Sequence, residues 1–294
     1  MSSDLAERHQ QIQQGIAIAG DNNAIKASAR AVLEGEQETT HARDDAISPR
    51  QFEQLVNATH RIESASIAIE TRAVLFLCGR VGLRKGELTH LRESWFDWSN
   101  GTLTIPNHQP CEKGQHDDEP CGYCRRRAED RVSTNNISIE EAKTALESVA
   151  DGTLSTNALE QQAQELQSEV NMSMEDALAL QWQPKTKRSA RTVPFDFDVR
   201  VKLALEAFFE EFDRWEKSAA TVNRRINRLE DISPVDTRLY PHALRATAAS
   251  YHASRDISIH SLMSIMGWSD PSTARSYVNA NADQAAREIR SKHR

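Results

Sequence analysis

No apolar run approaches twenty residues anywhere in this 294-residue chain, so no helix long enough to cross a membrane and no secretory leader are expected. Lysine is scarce: of the 36 basic residues 9 are lysine and 27 arginine. Positive charge is short overall, because 43 acidic residues bring the net charge to -7. That sum argues against a chain whose task is to neutralise phosphates, yet it does not say where the charges lie. The arginines in fact cluster in particular stretches. An acidic, lysine-poor, arginine-rich composition suits a high-salt cytoplasm, where dense carboxylates keep proteins dissolved, and a halophilic archaeal or viral source is expected on that ground. With a hydrophobic share of 38%, the length is enough for one large domain or two smaller ones with a sizeable core.

What is present is concentrated near the C-terminal end. From Tyr240 to Tyr277 the chain reads YPHALRATAASYHASRDISIHSLMSIMGWSDPSTARSY. Pro241 opens a helix, and His242 and Arg245, three apart, share one face near its first turn. Free N–H groups and the helix dipole favour an anion there. A second short helix through Leu262 and Met266 stops at Gly267 and leaves Trp268 just past its end. Asp270-Pro271 caps a third helix, which carries Tyr277 about two turns in. Taken singly, each of these residues reads as ordinary core or surface. In this order and spacing they resemble the C-terminal signature of the tyrosine recombinases, the integrase and Xer-like family, which runs H-x-x-R, then G-H or G-W, then the nucleophilic tyrosine. The resemblance implies two further features, an upstream arginine in a G-L-R-x-x-E-L setting and a lysine on a hairpin between the two.

Both are found. Gly82-Leu83-Arg84-Lys85-Gly86-Glu87-Leu88 follows an apolar helix over Ile67 to Cys78; Gly82 permits a sharp turn, and Arg84 stands at the start of the next helix. By resemblance Arg84 is the first catalytic arginine and Glu87 a supporting residue. Gln181 to Phe195 reads as two short strand segments around a turn holding Lys185, Lys187, Arg188 and Arg191. Lys185 is by resemblance the catalytic lysine, which enters the minor groove; Lys187, Arg188 and Arg191 also read as phosphate contacts that position the protein. Arg224, Arg225 and Arg228, with Asn223 and Asn227, mark a helix face able to lie along DNA or simply to face solvent.

The chain departs from the family in two places. Residues 1 to 46 hold two short helical patterns, around Leu5 to Ile18 and Ala24 to Leu33, and read as a helical arm smaller than the DNA-clamping domain many integrases carry, or as a flexible, partly disordered tail. The globular part, 47 to 294, opens at the capping box Ser48-Pro49-Arg50-Gln51. It is broken by an insertion over 107 to 180, where the family usually has a tight turn. That insertion begins with His108-x-x-Cys111 and Cys121-x-x-Cys124, two close pairs that suit a closed tetrahedral zinc; His116 is an alternative fourth ligand, and three reduced thiols are the plainer reading. Helices are expected after it, from the capping box Ser138-x-x-Glu141, over Leu154 to Val170, and over Ser173 to Leu180.

The fold the resemblance implies is α+β and mainly helical, a helical bundle with a small antiparallel sheet. The implied activity is site-specific cutting and rejoining of double-stranded DNA at attachment sites, integrating or excising a viral or plasmid element. Tyr277 would attack the scissile phosphorus and form a 3′-phosphotyrosyl link. His242 is the candidate base, Arg84 and Arg245 would clamp the non-bridging oxygens, and Lys185 would protonate the departing 5′ oxygen. Trp268, in place of a more usual histidine, would pack and donate an indole hydrogen bond. No cofactor is required for this chemistry. The basic tail from Gln284 to Arg294 would pack on a neighbouring protomer of a homo-tetramer, in a cytoplasmic, nucleoid-associated protein. A type IB topoisomerase, or a zinc-containing DNA-binding regulator without catalysis, are the alternatives.

Overall fold

Ser48 starts the first helix as its spacing requires. Its hydroxyl accepts from the Gln51 amide at 3.3 Å while the Gln51 side chain accepts from the Ser48 amide at 2.8 Å. The computed structural model describes residues 43–114, 119–150 and 155–278. The chain divides into two compact units, Met1–Asp44 and Asp45–Arg294, and the elements below all belong to the second. The helical patterns expected around Leu5 to Ile18 and Ala24 to Leu33 lie outside the described residues, as does the basic tail.

Helix α1 (Pro49–Thr59) buries Phe52 and Leu55, and α2 (Ala65–Phe76) is apolar nearly all round because other elements cover it. A π-helical turn, Leu77–Val81, widens the end of α2 and closes on Gly82, whose φ of 80° is left-handed. A β-carbon there would lie 2.8 Å from the Met266 sulfur, so the turn needs glycine on two counts. Arg84 then stands in extended conformation as the N-cap of the four-residue helix α3 (Lys85–Leu88).

A three-stranded antiparallel sheet follows, in the order β1 (Phe96–Asp97), β2 (Thr102–Ile105), β3 (Arg191–Pro194). Ile105 pairs with Arg191 and Thr102 with Pro194, so β2 and β3 are two arms of one hairpin with the insertion as its connection. The expected strand segment before Lys185 is absent. Gln181 and Trp182 instead exchange main-chain hydrogen bonds with Gln109 and Cys111 outside the sheet, and Lys187–Ser189 form a 3-10 turn.

The insertion is helical. It contains α4 (Gly122–Asn135), α5 (Ile139–Ala150), α6 (Thr156–Val170) and α7 (Met174–Ala179). Two asparagines clip it together: Asn136 exchanges hydrogen bonds with the Met172 backbone, and Asn171 with that of Ile137. Among its described residues the buried hydrophobic side chains are Ala128, Ala142, Ala163 and Ala177, with Cys111 and Cys124. Small side chains let helices approach closely but bury little apolar area.

Helices α8 (Val199–Glu211) and α9 (Ala219–Ile232) pack on α2. Phe52, Phe76, Leu83, Leu88, Leu91, Phe195, Phe208 and Trp215 are among the side chains of this main core. Helices α10 (Pro241–Ala253), α11 (Ile259–Met266) and α12 (Pro271–Val278) complete the described chain around a second core of alanines with Leu262, Met263, Met266 and Tyr277. The mainly helical fold with a small antiparallel sheet is the one the sequence implies.

Candidate active site

The polar side chains of α3 and α10 meet because each is anchored on carbonyls at the C-terminal end of α11. Arg84 donates from Nη2 to the Gly267 carbonyl at 2.9 Å, and Arg245 donates to the carbonyls of Met266 and Gly82. Carbonyls at a helix end lack intrahelical partners and carry the negative end of the dipole, so two guanidinium groups satisfy them well. The motif arginine of α10 is thereby tied to the turn that presents Arg84.

Glu87 is the acid that makes this concentration of positive charge tenable. It is buried, accepts from the Arg84 amide and guanidinium at 2.8 Å each, and takes a two-pronged pair of bonds from Arg191 at 2.8 and 3.1 Å. Burial alone would raise its pKa; the charge of Arg191 and its hydrogen bonds, with Arg245 and Arg84 behind them, hold it below the usual carboxylate value. Burial pulls Arg245 down to about 9, and Arg84 adds repulsion, which leaves it a cation at neutral pH.

These groups open on a cleft lined by Arg84, Lys85, Lys185, His242 and Arg245. Lys185 and His242 are both exposed at the cleft, His242 on the first turn of α10. Partial desolvation by the cleft walls lowers the His242 pKa first, and the cations Arg245, Arg84 and Lys185 lower it further against the opposing Asp45. Its imidazole is therefore neutral near pH 7 and able to accept a proton. The neighbouring Tyr240 hydroxyl donates to Asp45; burial and that carboxylate raise its pKa to about 12.

Trp268 and Tyr277 are a separate pair. Gly267, at φ 60°, ends α11, and the Trp268 amide returns to the Met263 carbonyl at 3.0 Å. Trp268 then stacks on Tyr277 with centroids 5.3 Å apart and planes at 22°. Tyr277 is 5% exposed and packed in the second core. The pair joins the cleft through the chain, since Arg84 and Arg245 hold the carbonyls of the two residues just before Trp268.

Several expected contacts take other roles. Arg191, read as a phosphate contact, has a side chain 4% exposed, occupied by Glu87 and by the carbonyls of Ile265 and Ser189. Arg225 is bound to buried Glu70, its Nε to the carboxylate at 2.7 Å, and staples α9 to α2. Arg188, Arg224 and Arg228 are exposed, while nothing is described of the Lys187 side chain. His108 does not join the cysteines: it is exposed and its Nε2 bonds the Ala179 carbonyl at 2.9 Å. His90 takes that place. Its Nε2 and the sulfurs of Cys111, Cys121 and Cys124 all lie within 4.8 Å of one another. His116 lies outside the described residues. Close sequence spacing points to His108, whereas His90 reaches the cysteines only once the β1–β2 hairpin brings them back beneath α3. Tyr123, between the paired cysteines, also lines the cleft and carries no sequence signal for that role.

Residues 45–284 match the model of the phage integrase family. No curated protein sequence matches the chain. Among solved structures it is similar to the Tn1549 transposon integrase in complex with transposon right end DNA, at 13% identity and a TM-score of 0.50 over 98% of this chain and 84% of that one. It is also similar to the XerA recombinase, at 17% identity and a TM-score of 0.46 over 85% of this chain; the match spans 63% of the XerA recombinase's own length. With its family match running from the residue before Ala46 to beyond α12, the chain belongs to the phage integrase family, the tyrosine site-specific recombinases.

Proposed function

We propose that this chain cuts and rejoins DNA strands at specific sites through a 3′-phosphotyrosyl intermediate on Tyr277. The observation that carries the reading is the convergence of Arg84, Lys185, His242 and Arg245 on one cleft, three residue types matched to three needs of phosphoryl transfer. Arg84 and Arg245 retain N–H donors beyond those engaged with carbonyls and Glu87, and these bind the non-bridging oxygens as charge grows on them. Neutral His242 receives the phenolic proton, which an ordinary phenol releases only at about pH 10. Lys185, on an exposed turn, protonates the 5′ oxygen as it leaves. The bond formed is Tyr277 oxygen to phosphorus; the bond broken is phosphorus to the 5′ oxygen. Reversal by a 5′ hydroxyl rejoins the strand without an external energy source.

Tyr277 lies in the second core, so attack requires α12 to leave its packing on Trp268. Binding of DNA and assembly of a homo-tetramer through the tail after α12 are the proposed triggers. The substrate is double-stranded DNA, the class of ligand held by the Tn1549 integrase, and the element moved is viral or plasmid. A nicked duplex carrying the candidate attachment site tests this: the cut strand diffuses away and leaves protein on DNA. The reading expects a covalent band on a denaturing gel that vanishes in Tyr277→Phe. If neither protein gives a band on DNA that it binds, the chain is a binding regulator; supercoil relaxation without strand exchange indicates a topoisomerase.

A further inference from the structure

His90 is set as a metal ligand rather than a buried base. Its Nδ1 lies 2.9 Å from the Gly86 carbonyl, so that nitrogen carries the proton and Nε2 points its lone pair at the cysteines. Nε2 is 3.3 Å from the Cys124 sulfur and 3.7 Å from that of Cys121. Bonds of about 2.3 Å to sulfur and about 2.0 Å to nitrogen give a tetrahedral zinc N···S edges of roughly 3.5 Å. Cys121 is the N-cap of α4 and its amide donates to the Cys111 sulfur at 3.4 Å. The helix N-terminus and that N–H both favour thiolate. The insertion has need of a staple, since its own buried side chains are mostly alanine.

We propose that His90, Cys111, Cys121 and Cys124 bind one structural zinc ion, which pins the inserted helices to the segment bearing Arg84. The ligands come from three stretches: the turn after α3, the strand exit after β2, and the first turn of α4. His90 is held by Gly86, within α3, and Tyr123 lies between two ligands with its hydroxyl 3.9 Å from where a Gly86 β-carbon would stand. The zinc thus fixes one wall of the cleft. It stays outside the chemistry, because four protein ligands leave it no open position. Binding of the ion is independent of the recombinase reading; only its effect on the cleft rests on that reading.

The test begins with elemental analysis of wild-type protein purified without added zinc, beside His90→Ala and His108→Ala. One zinc per chain is expected in wild type and in His108→Ala, with most of it lost from His90→Ala. Because His90→Ala can unfold, wild-type protein is also exchanged with cobalt: intense visible absorption with sulfur-to-metal charge transfer is expected from a tetrahedral thiolate site. Metal-free wild type with no cobalt spectrum overturns the proposal, as does zinc lost from His108→Ala and kept by His90→Ala. Stoichiometric zinc in a chain that forms no covalent DNA adduct leaves this site standing and removes the recombinase reading instead.

Discussion

Glu87 balances charge that would otherwise drive the site apart, with Arg84, Arg191 and Arg245 all acting on one buried carboxylate. Replacing it by alanine leaves Arg191, 4% exposed, as an unpaired buried cation, a change that typically costs about 3–5 kcal/mol. Glu87→Ala is therefore expected to lower the melting temperature sharply, and a melting curve like that of wild type contradicts the pairing. His242 makes a pH prediction of definite sign. Partial desolvation and neighbouring cations depress its pKa, so the acid limb of adduct formation lies below the ordinary imidazole value of about 6.5. Rates measured from neutral to acid pH check this, and a limb above that value excludes His242 as the base. At this scale the motif residues were legible because the order His242, Arg245, Trp268, Tyr277 is informative even where each residue alone is not. The pairing of Arg191 with Glu87 and of Arg225 with Glu70 is not legible, because a sequence does not reveal which arginine has a buried carboxylate opposite it.

Helix α11 and its stop govern the site more than their length suggests. The last carbonyls of the helix orient two arginines, and the stop is a left-handed glycine. In Gly267→Ala a β-carbon would lie 3.0 Å from the Arg188 carbonyl and 3.1 Å from Arg191 Cδ. Left-handed backbone costs a residue with a β-carbon about 1–2 kcal/mol. The variant is expected to lose at least that much in denaturant melts and to form adduct more slowly; full activity shows that the stop does not position the arginines. Helix starts were legible at Ser48, Ser138, Ser173 and Asp270, whose side chains cap them, whereas the Ser64 cap places the start of α2 two residues before the Ile67 read from the sequence. The strand expected before Lys185 was not, because its residues pair with Gln109 and Cys111 in the insertion rather than with a hairpin partner.

For the molecule as a whole, the contrast is between a net charge of -7 and a cleft lined by four cations. Phosphate contacts release counterions, so each one lost should lower the slope of log affinity against log salt by about 1. Arg224→Ala and Arg228→Ala are expected to do this if α9 lies on DNA. Arg225→Ala is expected to lower stability instead, through loss of the Glu70 pair. Binding isotherms across salt concentrations separate the two, and unchanged slopes for Arg224→Ala and Arg228→Ala place α9 away from DNA. The most direct measurement of the central claim is to digest the trapped protein–DNA adduct and sequence the peptide that carries the nucleotide. The peptide containing Tyr277, joined to a 3′ phosphate, is expected; a nucleotide on another residue, or a 5′ linkage, excludes Tyr277 as the nucleophile.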